Sequence, residues 1–285
     1  MEYNIFGKTN RKVSRIGFGG APAGLKNYLQ SYNPNAKKDR EDIIKAVHRA
    51  IELGINFFDT APSYGDGKGE EIFGEALEGV NKKDIFLATK VDIGRKDQVR
   101  RSLEASLKRL RRDYVDLLQV HGEKFTVKEA EIVEREMLDE MNKLKGEGLV
   151  KYIGFTSENN NEPIFRFIKH NQFDTVMFLY NFVYQHPYDP SRPFGSMLEA
   201  EKRGMGITVM KPTTAGIVQK WIQQVNPENT FNYTNALIQF VLSNPMVDVV
   251  PIGMRNVQEV ELNVKNVDNK LERVNIAELH NRYVK

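Results

Sequence analysis

Gly54-Ile55-Asn56-Phe57-Phe58-Asp59-Thr60-Ala61-Pro62-Ser63-Tyr64-Gly65 is the stretch on which the reading of this chain turns. It opens at a glycine suited to stopping a helix, runs through apolar residues of strand length to Asp59, and sets Tyr64 in the turn that follows. Two more strand-length runs close on an ionisable residue: Ile85-Phe86-Leu87-Ala88-Thr89-Lys90 ends at Lys90, and Tyr114-Val115-Asp116-Leu117-Leu118-Gln119-Val120-His121 ends at His121. Taken singly, each has an ordinary explanation, such as an acid capping a turn, a rim lysine or a hydrogen-bonded core histidine. Taken together they point to one site, because α/β barrels build their chemistry from the ends of several strands.

Working outward, strand-length apolar runs alternate with amphipathic stretches of helix length. Strands are expected near Arg15 to Gly19, Asn56 to Asp59, Ile85 to Lys90, Val115 to His121, Tyr152 to Phe155, Thr175 to Phe178, Ile207 to Met210 and Val247 to Pro251. Helices are expected near Arg40 to Leu53, Glu70 to Glu78, Gln98 to Arg111, Glu131 to Glu147, Pro163 to His170, Gly195 to Lys202, Tyr233 to Ser243 and Val257 to Asn266. In the first helix Ile43, Ile44, Val47, Ala50, Ile51 and Leu53 mark one face; in the third, Val99, Leu103, Ser106, Leu107 and Leu110 do so. This alternation predicts an α/β fold, a closed (β/α)8 TIM barrel forming a single domain over residues 1–285, with an open doubly wound sheet as the alternative.

The opening segment differs. Tyr3-Asn4-Ile5-Phe6 and Lys12-Val13-Ser14 flank Gly7-Lys8-Thr9-Asn10, which reads as an N-terminal β-hairpin plugging the barrel bottom. The long connections, Gly20 to Lys38, Gly122 to Lys128, Asn181 to Pro193 and Pro212 to Thr230, all follow strands, the face on which barrel sites form. An extra helix is expected over Asn275 to Tyr283.

Composition narrows the function. Among 285 residues, 41 basic and 38 acidic side chains leave a net charge of only +3, a mixed surface rather than a polyanion-binding face, so no nucleic-acid partner is expected. The basic run Arg109-Leu110-Arg111-Arg112 falls where a helix ends and complements its dipole. With no cysteine, disulfides, zinc-thiolate sites, iron-sulfur clusters and thiol nucleophiles are excluded. No apolar run approaches the roughly 20 residues that cross a bilayer, and Met1 to Lys8 lacks the pattern of a secretory signal, so a soluble cytoplasmic protein without a membrane partner is expected.

Over almost its whole length the chain resembles the aldo-keto reductase family. The match rests on Gly54 to Ala61 with Tyr64-Gly65, on Leu87-Ala88-Thr89-Lys90, on His121, on Ile153-Gly154-Phe155-Thr156, and on Pro251-Ile252-Gly253-Met254-Arg255-Asn256 with Asn263. The resemblance implies a barrel that binds a nicotinamide dinucleotide without a Rossmann fold, and no Gly-x-Gly-x-x-Gly follows a strand here. It implies that Tyr64 donates the proton in carbonyl reduction and accepts it in alcohol oxidation, while His121 hydrogen-bonds the carbonyl oxygen. Physical chemistry supplies a reason: a phenol with an ordinary pKa of about 10 yields its proton more readily when a cation such as Lys90 stabilises the phenolate, and Asp59 would hold that cation.

The resemblance also implies the dinucleotide contacts. Where the family has a Ser-Asn pair and a Gln for the nicotinamide carboxamide, this chain has Thr156-Ser157 and Met177; where it has an aromatic residue followed by Ser-Pro, this chain has Met210-Lys211-Pro212. Met210 offers a soft apolar face and Lys211 a cation near the pyrophosphate, with Thr213 and Gly216 in the same connection. Gly20 follows the first strand, where the lack of a side chain suits a close approach to the nicotinamide or simply a turn. At the adenosine end, Gly253 and Met254 replace a cation and a hydroxyl, Asn263 matches an adenine contact, and Arg255 is the candidate for a ribose 2′-phosphate. Glu259 would repel that phosphate and could accept from a free 2′-hydroxyl, which makes NAD the alternative; the resemblance to the family keeps NADP (NADPH) the first choice.

The leading expectation is therefore an NAD(P)H-dependent oxidoreductase acting on a small-molecule carbonyl substrate, an aldehyde or ketone. A nucleotide-binding regulatory or accessory barrel of the same family, with little turnover, is the second. A metal-dependent hydrolase is the third; of His48, His121, His170 and His186 only His121 ends a strand, and no His-x-His pair exists. Tyr28, Tyr32, Phe125, Tyr184, His186, Tyr188, Phe194 and Trp221 suggest a partly aromatic mouth, and Arg192 is the one obvious loop cation for a carboxylate-bearing substrate. The sequence leaves the substrate and the oligomeric state open.

Overall fold

The computed structural model describes residues 1–185, 195–270, 273–276 and 278. His186, Tyr188, Arg192, Phe194 and most of the expected final helix lie outside the described residues. A hairpin of β1 (Tyr3–Ile5) and β2 (Lys12–Ser14) comes first. Then β3 (Ile16–Gly19), β4 (Phe57–Asp59), β5 (Phe86–Asp92), β6 (Val115–His121), β7 (Val150–Ser157), β8 (Thr175–Leu179), β9 (Gly206–Met210) and β10 (Val250–Gly253) form one parallel sheet. Its order is β10-β3-β4-β5-β6-β7-β8-β9. Between β9 and β10 the ring closes through a parallel bridge from Thr208 to Val249, with the Asp248 amide donating to Ile207 O at 2.9 Å. This is a (β/α)8 barrel, not an open sheet.

The helices are α1 (Ala21–Gly24), α2 (Lys37–Glu52), α3 (Lys68–Ala76), α4 (Lys96–Leu110), α5 (Val127–Ile132), α6 (Leu138–Gly146), α7 (Glu162–His170), α8 (Ser196–Lys202), α9 (Ile217–Val225), α10 (Thr234–Leu242) and α11 (Val257–Asp268). In α4 the five residues expected on the apolar face, Val99, Leu103, Ser106, Leu107 and Leu110, are the buried ones. The helix expected over Glu131 to Glu147 begins earlier and is interrupted by a π-helical segment, Val133–Met137, that joins α5 to α6. In α9, which falls inside a stretch expected to be a plain connection, no residue is buried.

Strand side chains alternate between two faces, and this period of 2 sets up the site. Phe57 and Phe86 point into the barrel with ring centroids 5.2 Å apart, and Phe6 from the hairpin lies edge-on to both at 5.7 and 5.4 Å. Phe6, Val13, Ala88, Leu117 and Val249 share that inner cluster, so the hairpin does close the bottom. One residue along each strand, Phe58, Leu87 and Leu118 face the helices instead. Counting on by twos from Phe57, Phe86 and Leu117 places Asp59, Lys90 and the pair Gln119 and His121 inside, at the carboxyl end of the barrel. The residue between, Thr89, points outward and donates its hydroxyl to Glu70 of α3 at 2.6 Å; Arg109 completes that buried group.

The last barrel strand starts later than the expected Val247 to Pro251. The Val247 carbonyl is taken by the buried guanidinium of Arg15, which also reaches Leu242 O, so pairing with β3 begins at Val250 opposite Ile16. No helix among the described residues is long and apolar enough to cross a membrane.

Candidate active site

Asp59 ends β4 and the chain turns at once, so Tyr64 is carried back over the barrel mouth. That turn depends on missing side chains: Gly65 has φ +69°, and a Cβ there would come within 2.1 Å of Gly24 O, as one on Gly24 would of Tyr64 O. Gly20 is crowded in the same way by Asp59 O at 2.8 Å, and its amide donates to that oxygen. Close packing of the strand ends thus accounts for Gly20, which also lines the cavity.

Lys90 is the hub. Its ammonium donates to Asp59 Oδ2 at 2.7 Å, to Thr60 O at 2.8 Å and to Tyr64 Oη at 3.1 Å, using all three protons. Both ion-pair partners are buried, their side chains 1% and 6% exposed for Lys90 and Asp59. The second carboxylate oxygen of Asp59 accepts from the amide of Gln119 at 3.1 Å. The rings of Tyr64 and His121 meet edge-on at 6.0 Å. His121 Nδ1 lies 3.3 Å from Ser63 Oγ and 3.6 Å from Asp92 Oδ1, which turns the other ring nitrogen, Nε2, away from these partners.

Burial opposes the charge on Lys90, yet Asp59 and the Tyr64 oxygen outweigh it and hold its proton more tightly than an ordinary lysine does. For Tyr64 the balance falls the other way. Burial raises its pKa above the usual phenol value, with Lys90 pulling down and Asp59 pushing up. The expectation of a net acidified phenol is therefore corrected: Lys90 moderates an upward shift, and at neutral pH Tyr64 is firmly protonated. The hydrogen bond to His121 holds the Asp92 carboxyl below its usual range.

A cavity of about 700 Å³ opens over these groups. Asp59, Tyr64, Lys90 and His121 line it, and so do Gly20, Thr156, Met177, Met210, Lys211, Pro212, Thr213, Gly253, Arg255, Glu259 and Asn263. Ser157, Gly216 and Met254 do not line it. Ser157 exchanges hydrogen bonds with the main chain of Asn159, Gly216 precedes α9 with φ +75°, and Met254 is wholly buried in the core.

Several expected contacts are already engaged. The Thr156 hydroxyl accepts from Gly122 N and donates to Gly122 O, leaving little for a carboxamide. Lys211, at φ +55°, pairs with Glu158, so its charge is matched within the protein. The Arg255 guanidinium lies over the Tyr32 ring at 4.8 Å and donates from Nε to Pro22 O and from Nη2 to Tyr28 O, which leaves the two protons of Nη1 and the second proton of Nη2 for a phosphate. Glu259 accepts from the Arg255 amide at 2.7 Å and from Asn256 at the start of α11.

The aromatic mouth is also corrected. Tyr32 and Phe125 are core residues, Phe125 packing edge-on against Phe155 and Phe167, while Trp221 is exposed on α9 outside the cavity lining. Of the described aromatics expected at the mouth, Tyr28 alone joins the lining, beside Ser63, Glu123, Glu158, Asn232 and Thr234. The contacts of Gln119, Asp92 and Ser63 were not expected. The signal for Gln119 is its place two residues before His121 on one strand, which puts both on the same face. Among the described residues no three His, Cys, Asp or Glu side chains are grouped to hold a metal ion.

Comparison with known proteins agrees with this architecture. L-galactose dehydrogenase of Arabidopsis thaliana is 28% identical over 94% of this chain and 88% of that enzyme. The holo form of an aldo-keto reductase from Bacillus halodurans superposes with a TM-score of 0.76 at 23% identity, covering 95% of each chain. An aldo-keto reductase from Klebsiella pneumoniae solved in complex with NADPH gives 0.77 at 20% identity over 99% of this chain and 95% of that one. The family model described as "Aldo/keto reductase family" matches residues 15–237. The chain belongs to the aldo/keto reductase family.

Proposed function

We propose that this protein reversibly reduces a small aldehyde or ketone to the alcohol at the cavity over Lys90. The observation that carries the reading is the chain Asp59, Lys90, Tyr64, in which a buried ammonium bonded to a carboxylate also donates to a phenol oxygen at 3.1 Å. Carbonyl reduction needs a hydride for carbon and a proton for the oxygen that becomes negative. A reduced nicotinamide dinucleotide supplies the hydride when bound. Tyr64 supplies the proton: its phenol keeps it at neutral pH, and the Lys90 ammonium stabilises the phenolate left behind. His121, with Nδ1 facing Ser63 and Asp92, has Nε2 available to hydrogen-bond the carbonyl oxygen and orient it.

The residues fit such a cofactor. The cavity falls within the roughly 300–1,000 Å³ common for ligand sites and extends from Lys90 to Asn263. Met177 and Met210 give it soft apolar walls. The Nη1/Nη2 edge of Arg255 is the group for a 2′-phosphate, which, with the NADPH of the Klebsiella neighbour, supports NADP over NAD. Ser63, Asn232 and Thr234 suit a substrate carrying hydroxyls better than an aromatic one.

The test is dinucleotide oxidation by the purified protein with a panel of simple aldehydes, run with NADPH and NADH. Continuous turnover, faster with NADPH at limiting cofactor, is expected. Tight dinucleotide binding with no turnover on any aldehyde would favour the accessory-barrel reading, and tenfold tighter NADH than NADPH would reverse the cofactor ranking.

A further inference from the structure

We propose that Gln119 is a positioning residue for the proton-transfer chain, its amide holding Asp59 so that Lys90 stays aimed at Tyr64. The inference rests on the reading of Asp59, Lys90 and Tyr64 given above. Gln119 lies wholly buried in β6, directly opposite Lys90 of β5 in the strand register. Its Nε2 donates to Asp59 Oδ1 while Lys90 takes Oδ2, so the two donors fix the carboxylate plane from both sides.

The other end of the amide is the telling part. Gln119 Oε1 is buried and has no hydrogen-bond partner among the described residues. Burying an unmatched oxygen is costly, and a methionine of similar shape would avoid it. The amide therefore earns its place through the N–H it gives Asp59. With that donor gone, Asp59 has one partner left and can turn about it. Lys90, which spends one proton on Asp59 and one on Thr60 O, then has no fixed direction for the third. Among the described residues Thr60 beside Asp59, His121 on β6 and Tyr28 from the segment after α1 also face this chain, and none of their side chains is hydrogen-bonded to the Asp59 carboxylate.

Two substitutions separate positioning from simple packing. Gln119→Met keeps the volume and removes the donor. Gln119→Glu keeps the shape and donates only while its carboxyl is protonated; once ionised, it sets a second negative charge beside Asp59. For Gln119→Met, kcat falls about tenfold or more with KM for the dinucleotide unchanged, the loss that goes with a hydrogen bond to a charged group. Gln119→Glu works like wild type at the acid end of the range and loses activity as pH rises. A second readout needs neither turnover nor dinucleotide. In 13C-tyrosine NMR, with the Tyr64 signal assigned through Tyr64→Phe, the onset of Tyr64 ionisation moves to higher pH in Gln119→Met because its phenolate has lost a fixed cation.

Unchanged Tyr64 titration and unchanged pH profiles in both variants, with only a lower melting temperature, would overturn the proposal and leave Gln119 a packing residue. Failure of the underlying reading shows elsewhere, as absence of turnover in the wild type, and the NMR titration still decides the role of Gln119.

Discussion

Tyr64→Phe lowers kcat for aldehyde reduction by about a thousandfold while dinucleotide affinity stays within about twofold of wild type. The size follows from what is removed: a positioned general acid contributes roughly 10²- to 10⁴-fold, and among the described residues no other hydroxyl is bonded to the Lys90 ammonium. His121 ends β6, two strands from the β4 that leads to Tyr64; its ring meets Tyr64 edge-on at 6.0 Å and its Nδ1 is directed to Ser63 and Asp92. Lys90 loses one of its three acceptors and keeps Asp59 and Thr60 O, so folding stability should change by only about 1 kcal/mol. Single-turnover kinetics, dinucleotide fluorescence titration and urea unfolding on one preparation check all three statements. Wild-type kcat in this variant would remove Tyr64 from the chemistry.

Lys90→Met has the second large effect, and here catalysis and stability fall together. The substitution leaves the Asp59 carboxylate buried with Gln119 as its remaining side-chain partner. Removing one member of a buried pair costs roughly 3 to 5 kcal/mol, because the other charge is stranded rather than because the pair is worth that much. The stranded carboxyl escapes part of this by taking up a proton, so its pKa in the folded variant rises above the unfolded value. A raised acid binds more protons folded than unfolded, and the variant's deficit therefore grows as pH rises through the range between those two values, then stays constant. Urea unfolding at pH 5 and pH 8 should show the larger loss at pH 8. The double substitution Asp59→Leu with Lys90→Met should recover part of the stability, the Gln119 amide being left without its acceptor, and none of the activity. A pH-independent loss in the single variant would mean that the cost is packing.

Much of this arrangement was legible because periodicity and chemistry coincide in the same strands. Phe57, Phe86 and Leu117 face inward, and the same parity carries Asp59, Lys90 and His121 to the mouth, so strands readable from hydrophobic runs also predicted that these side chains line one cavity. The hairpin was readable from its turn residues, although its lid function depends on Phe6 meeting Phe57 and Phe86, residues far away in sequence. Where the reading failed, a neighbour decided. Helix α9 follows Pro212-Thr213-Thr214-Ala215-Gly216, which reads as loop, and it buries no face that would reveal it.

The residues proposed to hold the cofactor show the same limit. Thr156 bonds to Gly122, Lys211 to Glu158 and Arg255 to two main-chain carbonyls, and each of these partners comes from another part of the chain. Residue type shows what a side chain can offer; only the fold shows whether it has already been claimed. The Tyr64 phenol makes the point for electrostatics, since adjacency to Lys90 suggested a lowered pKa and burial in the folded cavity reverses the sign.

The central claim is that one proton, shuttled by Tyr64 beside a permanently charged Lys90, serves both directions of the reaction. The direct measurement is the pH dependence of hydride transfer in wild type, run as aldehyde reduction and as alcohol oxidation. A single ionisation should appear in mirror image, with reduction level through neutral pH and lost on the alkaline side, and oxidation rising there. Rates that lack an alkaline transition in either direction, or that rise together with pH, would contradict it.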